Sequence, residues 1–207
     1  MNGASGGRRV AVLVLAAAAS ILLAQLLDPW AHRTLIVADV YEKDWGRLLR
    51  IMGFAPTWLA ISGAVWLEER ASRRPDRPPA NTTLQAVVLA VIVGGLGSEL
   101  LKLLIRRERP AGDGLDYVFR AFTDNPFSTS RLGMPSGHTM VAFAGAAALG
   151  RRFPRAAPVL YGLAAGCGLT RLFAHAHFLS DVVAAGVGGT VTGRWIAGRV
   201  FQRAARG

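Results

Sequence analysis

Six apolar runs divide this chain: residues 10–27, 48–67, 84–105, 139–149, 156–173 and 182–201. A helix rises about 1.5 Å per residue, so about 20 residues cross a hydrocarbon core of about 30 Å. Most of the runs approach that length. None carries the regular polar stripe that a surface helix of a soluble domain needs. The expected fold is therefore all-α: a six-helix transmembrane bundle forming one domain over residues 1–207. The fourth run is short, and its outer end is expected to dip below the membrane surface. Run 10–27 follows Arg8 and Arg9, as a signal peptide would, with alanines at 17–19 near a cleavage position. It continues past the usual length of such a region, so it reads as a retained first helix. Pro56 should kink the second helix, a break that membrane helices tolerate.

The formal charge of +11 raises nucleic acid as a partner. A nucleic-acid binder places its basic residues on one solvated face or tail. Here they fall in short clusters between apolar runs, which excludes that class and points to membrane loops. Arg8 and Arg9 precede the first run. Arg70, Arg73, Arg74 and Arg77 follow the second, in a proline-rich stretch (73–79) that reads as a solvated loop. Arg151, Arg152 and Arg155 follow the fourth, and Arg194, Arg199, Arg203 and Arg206 close the chain. Six crossings put all of these on one side, the cytoplasmic side by the positive-inside rule. Segments 28–47, 106–135 and 175–181 then face outward. In a bacterium the protein would be a multi-pass inner-membrane protein with that face toward the periplasm. Arg106, Arg107, Arg120 and Arg131 also lie outside, and contact with phosphate would account for them.

Other features read structurally. Cys167 lies in an apolar run, has no second cysteine to pair with, and reads as a small packing residue. Gly94-Gly95-x-Gly97 and Gly186-x-Gly188-Gly189 lack the strand–turn–helix setting of a nucleotide loop and predict close helix packing. Asp113, Asp116 and Asp124 do not have the spacing of a compact cation loop and read as solvated acids, so no metal is expected.

The chemistry concentrates in three segments at the outward ends of the runs. His177 and Asp181 are four apart and would share one helical face, where the carboxylate can accept from Nδ1 and free Nε2 to attack. His175 does not share that geometry. Arg171 offers a planar fork for a phosphoryl group. Pro135-Ser136-Gly137-His138 would open the fourth helix, where free N–H groups and the helix dipole favour an anion. Gly137 permits close approach, Ser136 can donate, and His138 can act as a general acid. Lys102 is one of only two lysines in an arginine-rich chain, the other being Lys43. It lies near a helix end with Glu99 one turn earlier as a supporting partner. With Arg109 it supplies the preorganised positive charge that phosphoryl transfer needs. Taken singly, each segment is also compatible with a helix cap or an interfacial hydrogen bond.

Taken in order, Lys102-x6-Arg109-Pro110, Pro135-Ser136-Gly137-His138 and Thr170-Arg171-x5-His177-x3-Asp181 resemble the signature of the type-2 phosphatidic acid phosphatase superfamily. Thr170 stands where the family has serine. The motifs cover about the C-terminal half, and the six-run plan extends the resemblance over the chain. The resemblance implies hydrolysis of a lipid phosphate or diphosphate through a phosphohistidine, without a metal or other cofactor. It assigns His177 as nucleophile, Asp181 as its orienting partner, and His138 as the acid that later activates water. Lys102, Arg109, Ser136, Gly137 and Arg171 match phosphate-binding positions. The active site is expected at the outer membrane face. The partners implied are a lipid phosphate and the bilayer, with no obligate protein partner. Two alternatives stay open: a phosphotransferase that passes phosphate to another lipid, and a catalytically silent scaffold or transport subunit. The head group is not legible.

Overall fold

The computed structural model describes residues 3–72, 80–111 and 116–206. Among them the chain forms seven α-helices: α1 (Gly3–Thr34), α2 (Asp44–Arg50), α3 (Ala55–Ser72), α4 (Ala80–Ile105), α5 (Gly137–Arg152), α6 (Ala157–Phe173) and α7 (Leu179–Ala204). A 3₁₀ turn, Ile51–Gly53, joins α2 to the break before α3. No strand forms among the described residues beyond isolated bridges of Arg107 with Phe119 and Glu108 with Leu132. The all-α expectation holds. The 73–79 loop lies outside the described residues.

The count of six spans is not reproduced. By length and composition, Gly6–Thr34 and Asn81–Ile105 can each cross a membrane, and a third span results if Asp44–Gly53 and Ala55–Ser72 count as one. α5 has 16 residues and rises only about 24 Å. Its composition has a physical reason: from Thr139 to Gly150 it is almost entirely buried by other helices. Alanine and glycine suffice where protein, not lipid, surrounds a helix. On α7, a β-carbon at Gly189 would meet Met140 O at 2.5 Å, and one at Gly193 would meet Ala144 O at 2.3 Å. These glycines let the backbones of α5 and α7 touch, as expected for the glycine run at 186–189.

The second apolar run is an 80° corner instead of one kinked helix. Pro56 has no N–H to give to Met52 O, the carbonyl four residues back. The buried Trp58 indole Nε1 takes that carbonyl instead, at 2.7 Å. Thr57 Oγ1 donates to Ile51 O at 2.8 Å. Pro56 then sits in the first turn of α3, where a missing N–H costs nothing.

Buried Arg106 organises the segment between α4 and α5. Its guanidinium donates to the carbonyls of Arg120 (3.0 Å), Ala121 (2.8 Å), Asp124 (2.5 Å) and Pro126 (3.2 Å). Arg120 pairs with Glu108 at 2.9 Å and donates to Ser130 O at 2.7 Å. Phosphate is not needed to account for Arg106 and Arg120. Arg106 and Arg120 satisfy loop carbonyls that would otherwise be left unpaired. Arg131 is exposed.

Candidate active site

Four helix ends meet at one end of the bundle: the C-termini of α4 and α6 and the N-termini of α5 and α7. Lys102, in the last turn of α4, is buried, and its Nζ donates to Glu99 Oε1 at 2.5 Å. The same Nζ lies 3.3 Å from where a β-carbon of Gly137 would be. A lysine charge thus stands against the start of α5. Ser136 is the N-cap, yet its side chain makes no capping bond; its Oγ accepts from Thr139 Oγ1 at 3.0 Å. The first N–H groups of α5 therefore keep their capacity for an anion.

Arg171, buried in the last turn of α6, donates through Nη1 to Tyr41 OH at 2.6 Å. Its Nε is buried without a hydrogen-bond partner, a charged donor still open to an acceptor. Tyr41 OH donates in turn to Thr170 O at 3.2 Å. Thr170 Oγ1 is turned onto its own helix, donating to Cys167 O at 2.8 Å. The hydroxyl that replaces the family serine is thus spent on α6.

His138 is half-buried in the first turn of α5. The corner after α2 presses on it: a β-carbon at Gly53 would sit 2.5 Å from His138 Cβ. Half-buried, His138 lies in the positive field of Arg171, Arg50 and Arg109. Lys102, Glu99, Arg109, Ser136, Gly137, His138, Arg171, His177 and Asp181 are accordingly gathered in one place. Arg109 is exposed, while Arg171 and His177 are buried.

His177 and Asp181 do meet, with Nδ1 3.4 Å from Oδ2, but not as two residues on one helical face. His177 precedes α7, whose N-cap is Phe178. Asp181 is the third residue of the helix, and its Oδ2 turns back to accept the Phe178 N–H at 2.9 Å. That turn aims the carboxylate at His177. Nδ1 has no hydrogen bond of normal geometry. Burial pulls His177 below the ordinary histidine range, against the opposing influence of Asp181. Lowering of this kind favours the neutral imidazole. His175 does other work. It ends α6 with φ 49°, its N–H on Leu172 O at 2.8 Å and the Ala176 N–H on Arg171 O at 3.0 Å. This is a Schellman closure with histidine where glycine is usual. Among the described residues no three His, Cys, Asp or Glu side chains converge as a cation site. Asp116 and Asp124 are exposed, and Asp113 lies outside the described residues.

A family model described as the PAP2 superfamily matches residues 83–204. The chain belongs to the PAP2 superfamily. A lipid A 1-phosphatase of Rhizobium etli is 31% identical over 166 residues, covering 75% of this chain and 68% of that protein. A lipid A 1-phosphatase of Rhizobium johnstonii is 36% identical over 109 residues, covering 52% of this chain and 42% of the relative. No solved structure matches. The PAP2 match contains every site residue read from the motifs. It leaves out Asp28, Tyr41 and Arg50, which the fold brings to the site or its support. Arg50 lies over the Tyr41 ring, 4.4 Å from guanidinium carbon to centroid, and Arg171 is 5.6 Å from the same centroid. No spacing pattern marks these residues: Tyr41 and Arg50 arrive through the loop before α2 and the corner at Gly53, and Asp28 arrives from α1.

Proposed function

We propose that this PAP2 protein hydrolyses a lipid phosphate through a phosphohistidine on His177, without a metal ion. The observation that carries the reading is the buried His177–Asp181 contact beside Arg171, His138 and the Lys102-flanked start of α5. Nε2 of neutral His177 attacks phosphorus. The bond to the leaving oxygen breaks, and His138 gives that oxygen its proton. His138 then takes a proton from water, which attacks the phosphohistidine and releases inorganic phosphate. Lys102, Arg109, Arg171 and the N–H groups at Gly137 hold the charge that develops on the equatorial oxygens. Those cations fill the role that a metal plays elsewhere.

The family and both relatives support a lipid substrate, and lipid A bearing a 1-phosphate is the first to try. An apolar cavity of about 1030 Å³ between α1, α6 and α7 reaches Leu172 and Leu179, beside Arg171 and the His177 turn. It supports access for an acyl tail from the bilayer. We place the arginine-rich helix ends in the cytoplasm and the site at the outer face.

The test is phosphate release by the purified protein from lipid A 1-phosphate, phosphatidate, phosphatidylglycerol phosphate, a polyprenyl diphosphate and glycerol phosphate. Free phosphate should appear from long-chain substrates with a far higher kcat/KM, since tail burial contributes about 0.8 kcal/mol per methylene. Release should persist in excess EDTA and be blocked by vanadate. Equal efficiency on glycerol phosphate would sink lipid specificity. Complete loss in EDTA, restored by magnesium, would sink the metal-free mechanism.

A further inference from the structure

Asp181 has a second partner that the motif does not name. Its Oδ1 is paired with the buried Arg107 guanidinium, between segments 74 residues apart. The same Arg107 Nη2 donates to Ser180 Oγ at 2.7 Å. Ser180 in turn gives both its protons to Asp28 of α1: the hydroxyl to Oδ2 at 2.5 Å and the N–H to Oδ1 at 2.8 Å. Tyr117 OH donates to Asp28 Oδ2 at 2.9 Å. The Tyr117 and Phe178 rings flank the guanidinium at 4.9 and 5.2 Å. Asp28, Arg107, Ser180 and Asp181 are all buried. Burial and the Asp28 carboxylate push the Tyr117 hydroxyl up to about 12, so it stays a donor.

A buried ion pair is a poor device for stability, because desolvation offsets most of the attraction. Here one arginine pairs with Asp181 and reaches the Asp28 carboxylate through the Ser180 hydroxyl, and only Asp181 touches the histidine. We propose that Asp28, Ser180 and Arg107 are positioning residues for the reaction, a relay from α1 that fixes the Asp181 carboxylate toward His177 and limits how strongly it draws on the imidazole. Asp28 fixes the Ser180 hydroxyl as a donor to itself, which leaves the Ser180 lone pairs facing Arg107. Arg107 then holds Oδ1, which leaves Oδ2 for Phe178 N–H and His177. Without the arginine cation, Asp28 and Asp181 would be two unbalanced carboxylates. Asp181 would become the stronger acceptor, and His177 would become more basic. The groups around His177 are Asp181 from α7, Arg171 from α6, His138 from α5 and Arg109 after α4. On α1, His32 stacks on His175 and lies near Phe178. This inference rests on His177 being the nucleophile.

The test uses the full chain in detergent or nanodiscs, with Arg107→Gln, Arg107→Lys, Asp28→Asn and Ser180→Ala. Three quantities are read: vanadate affinity, the single-turnover rate of phosphoenzyme formation, and the pH dependence of that rate. Vanadate affinity should stay within about threefold, because the phosphate-binding cations are untouched. Phosphoenzyme formation should fall about 10–100-fold in Arg107→Gln and Asp28→Asn, by analogy with loss of the outer hydrogen-bond partner that orients a metal-binding histidine. The acid limb should move to higher pH in Arg107→Gln, and Arg107→Lys should restore part of both. Ser180→Ala keeps every charge, so it should slow formation with a smaller displacement of the limb. It serves as the reading if Arg107→Gln does not fold. A rate and limb like wild type in a folded Arg107→Gln or Ser180→Ala would overturn the relay. Parallel losses of vanadate affinity and rate with an unmoved limb would also overturn it, leaving a purely structural role. If the wild type forms no phosphoenzyme at all, the phosphohistidine reading fails first and the relay falls with it.

Discussion

Gly53 and His138 share one space: a methyl group on Gly53 would lie 2.5 Å from His138 Cβ and 2.8 Å from its Cα. The corner made by Pro56 and Trp58 therefore forms one wall of the site. Gly53→Ala must displace either the corner or the start of α5. Overpacking of this kind costs about 1–3 kcal/mol. Thermal unfolding should show a lower midpoint, and kcat should fall more than vanadate affinity. A Gly53→Ala protein with unchanged kcat would mean that the contact relaxes freely.

The two neighbouring histidines should separate cleanly. His177→Ala should lose turnover and any acid-labile phosphoenzyme captured by rapid quench. His175→Gly should keep both, since glycine suits the left-handed conformation that His175 adopts at φ 49°. His175→Val should be destabilised by about 1–3 kcal/mol from backbone strain, with the intermediate still formed. Phosphohistidine in His177→Ala but not in His175→Gly would reverse the assignment.

The pH dependence follows from the burial of His177. Protonation removes the nucleophilic lone pair, and burial pulls this imidazole below its ordinary value. Its neutral form therefore persists as pH falls through about 6.5, the ordinary histidine value. With an aryl phosphate, whose leaving group needs little protonation, single-turnover phosphoenzyme formation should keep its rate at pH 6.5. The acid limb should appear only at lower pH. A limb centred above 6.5 would contradict a burial-dominated imidazole.

Arg50 should contribute to substrate binding. It shares the Tyr41 ring with Arg171, and its charge acts on His138. Neutralising it in Arg50→Gln should raise KM about tenfold, the scale of one charge-assisted hydrogen bond. The kcat should change little. Tyr41→Phe should have a different signature, lowering kcat by freeing Arg171 Nη1. An unchanged KM in Arg50→Gln would place Arg50 outside the phosphate field.

Topology is open to direct labelling. In a Cys167→Ser background, a cysteine at Asp116 should react with an impermeant reagent in intact cells, and one at Ser72 should not. Labelling at 72 but not at 116 would invert the orientation drawn from the arginines.

Local sequence was enough for the all-helical class and for the residues that converge at the candidate site. Five of the six apolar runs lie along one helix each, and the second is split by the corner between α2 and α3. The ordered motifs marked His138, His177, Asp181 and the cations because those residues keep fixed spacings along the chain. How they meet is a matter of packing. Arg106, Arg107 and Arg109 are near neighbours with three destinations: loop carbonyls, the Asp181 carboxylate, and the site's electrostatic field. No local pattern separates them, because each destination is set by what packs opposite. The His177–Asp181 pair was legible, but its cause was not: a helix N-terminus turns the carboxylate back, in place of a shared helical face. Asp28 reaches Ser180 across 152 residues, a relationship that no periodicity carries. Two to three spans pass by length and composition, where the apolar runs suggested six, for a related reason. A helix walled in by protein, such as α5, needs small residues for close packing, so its hydropathy no longer reports its depth in a membrane.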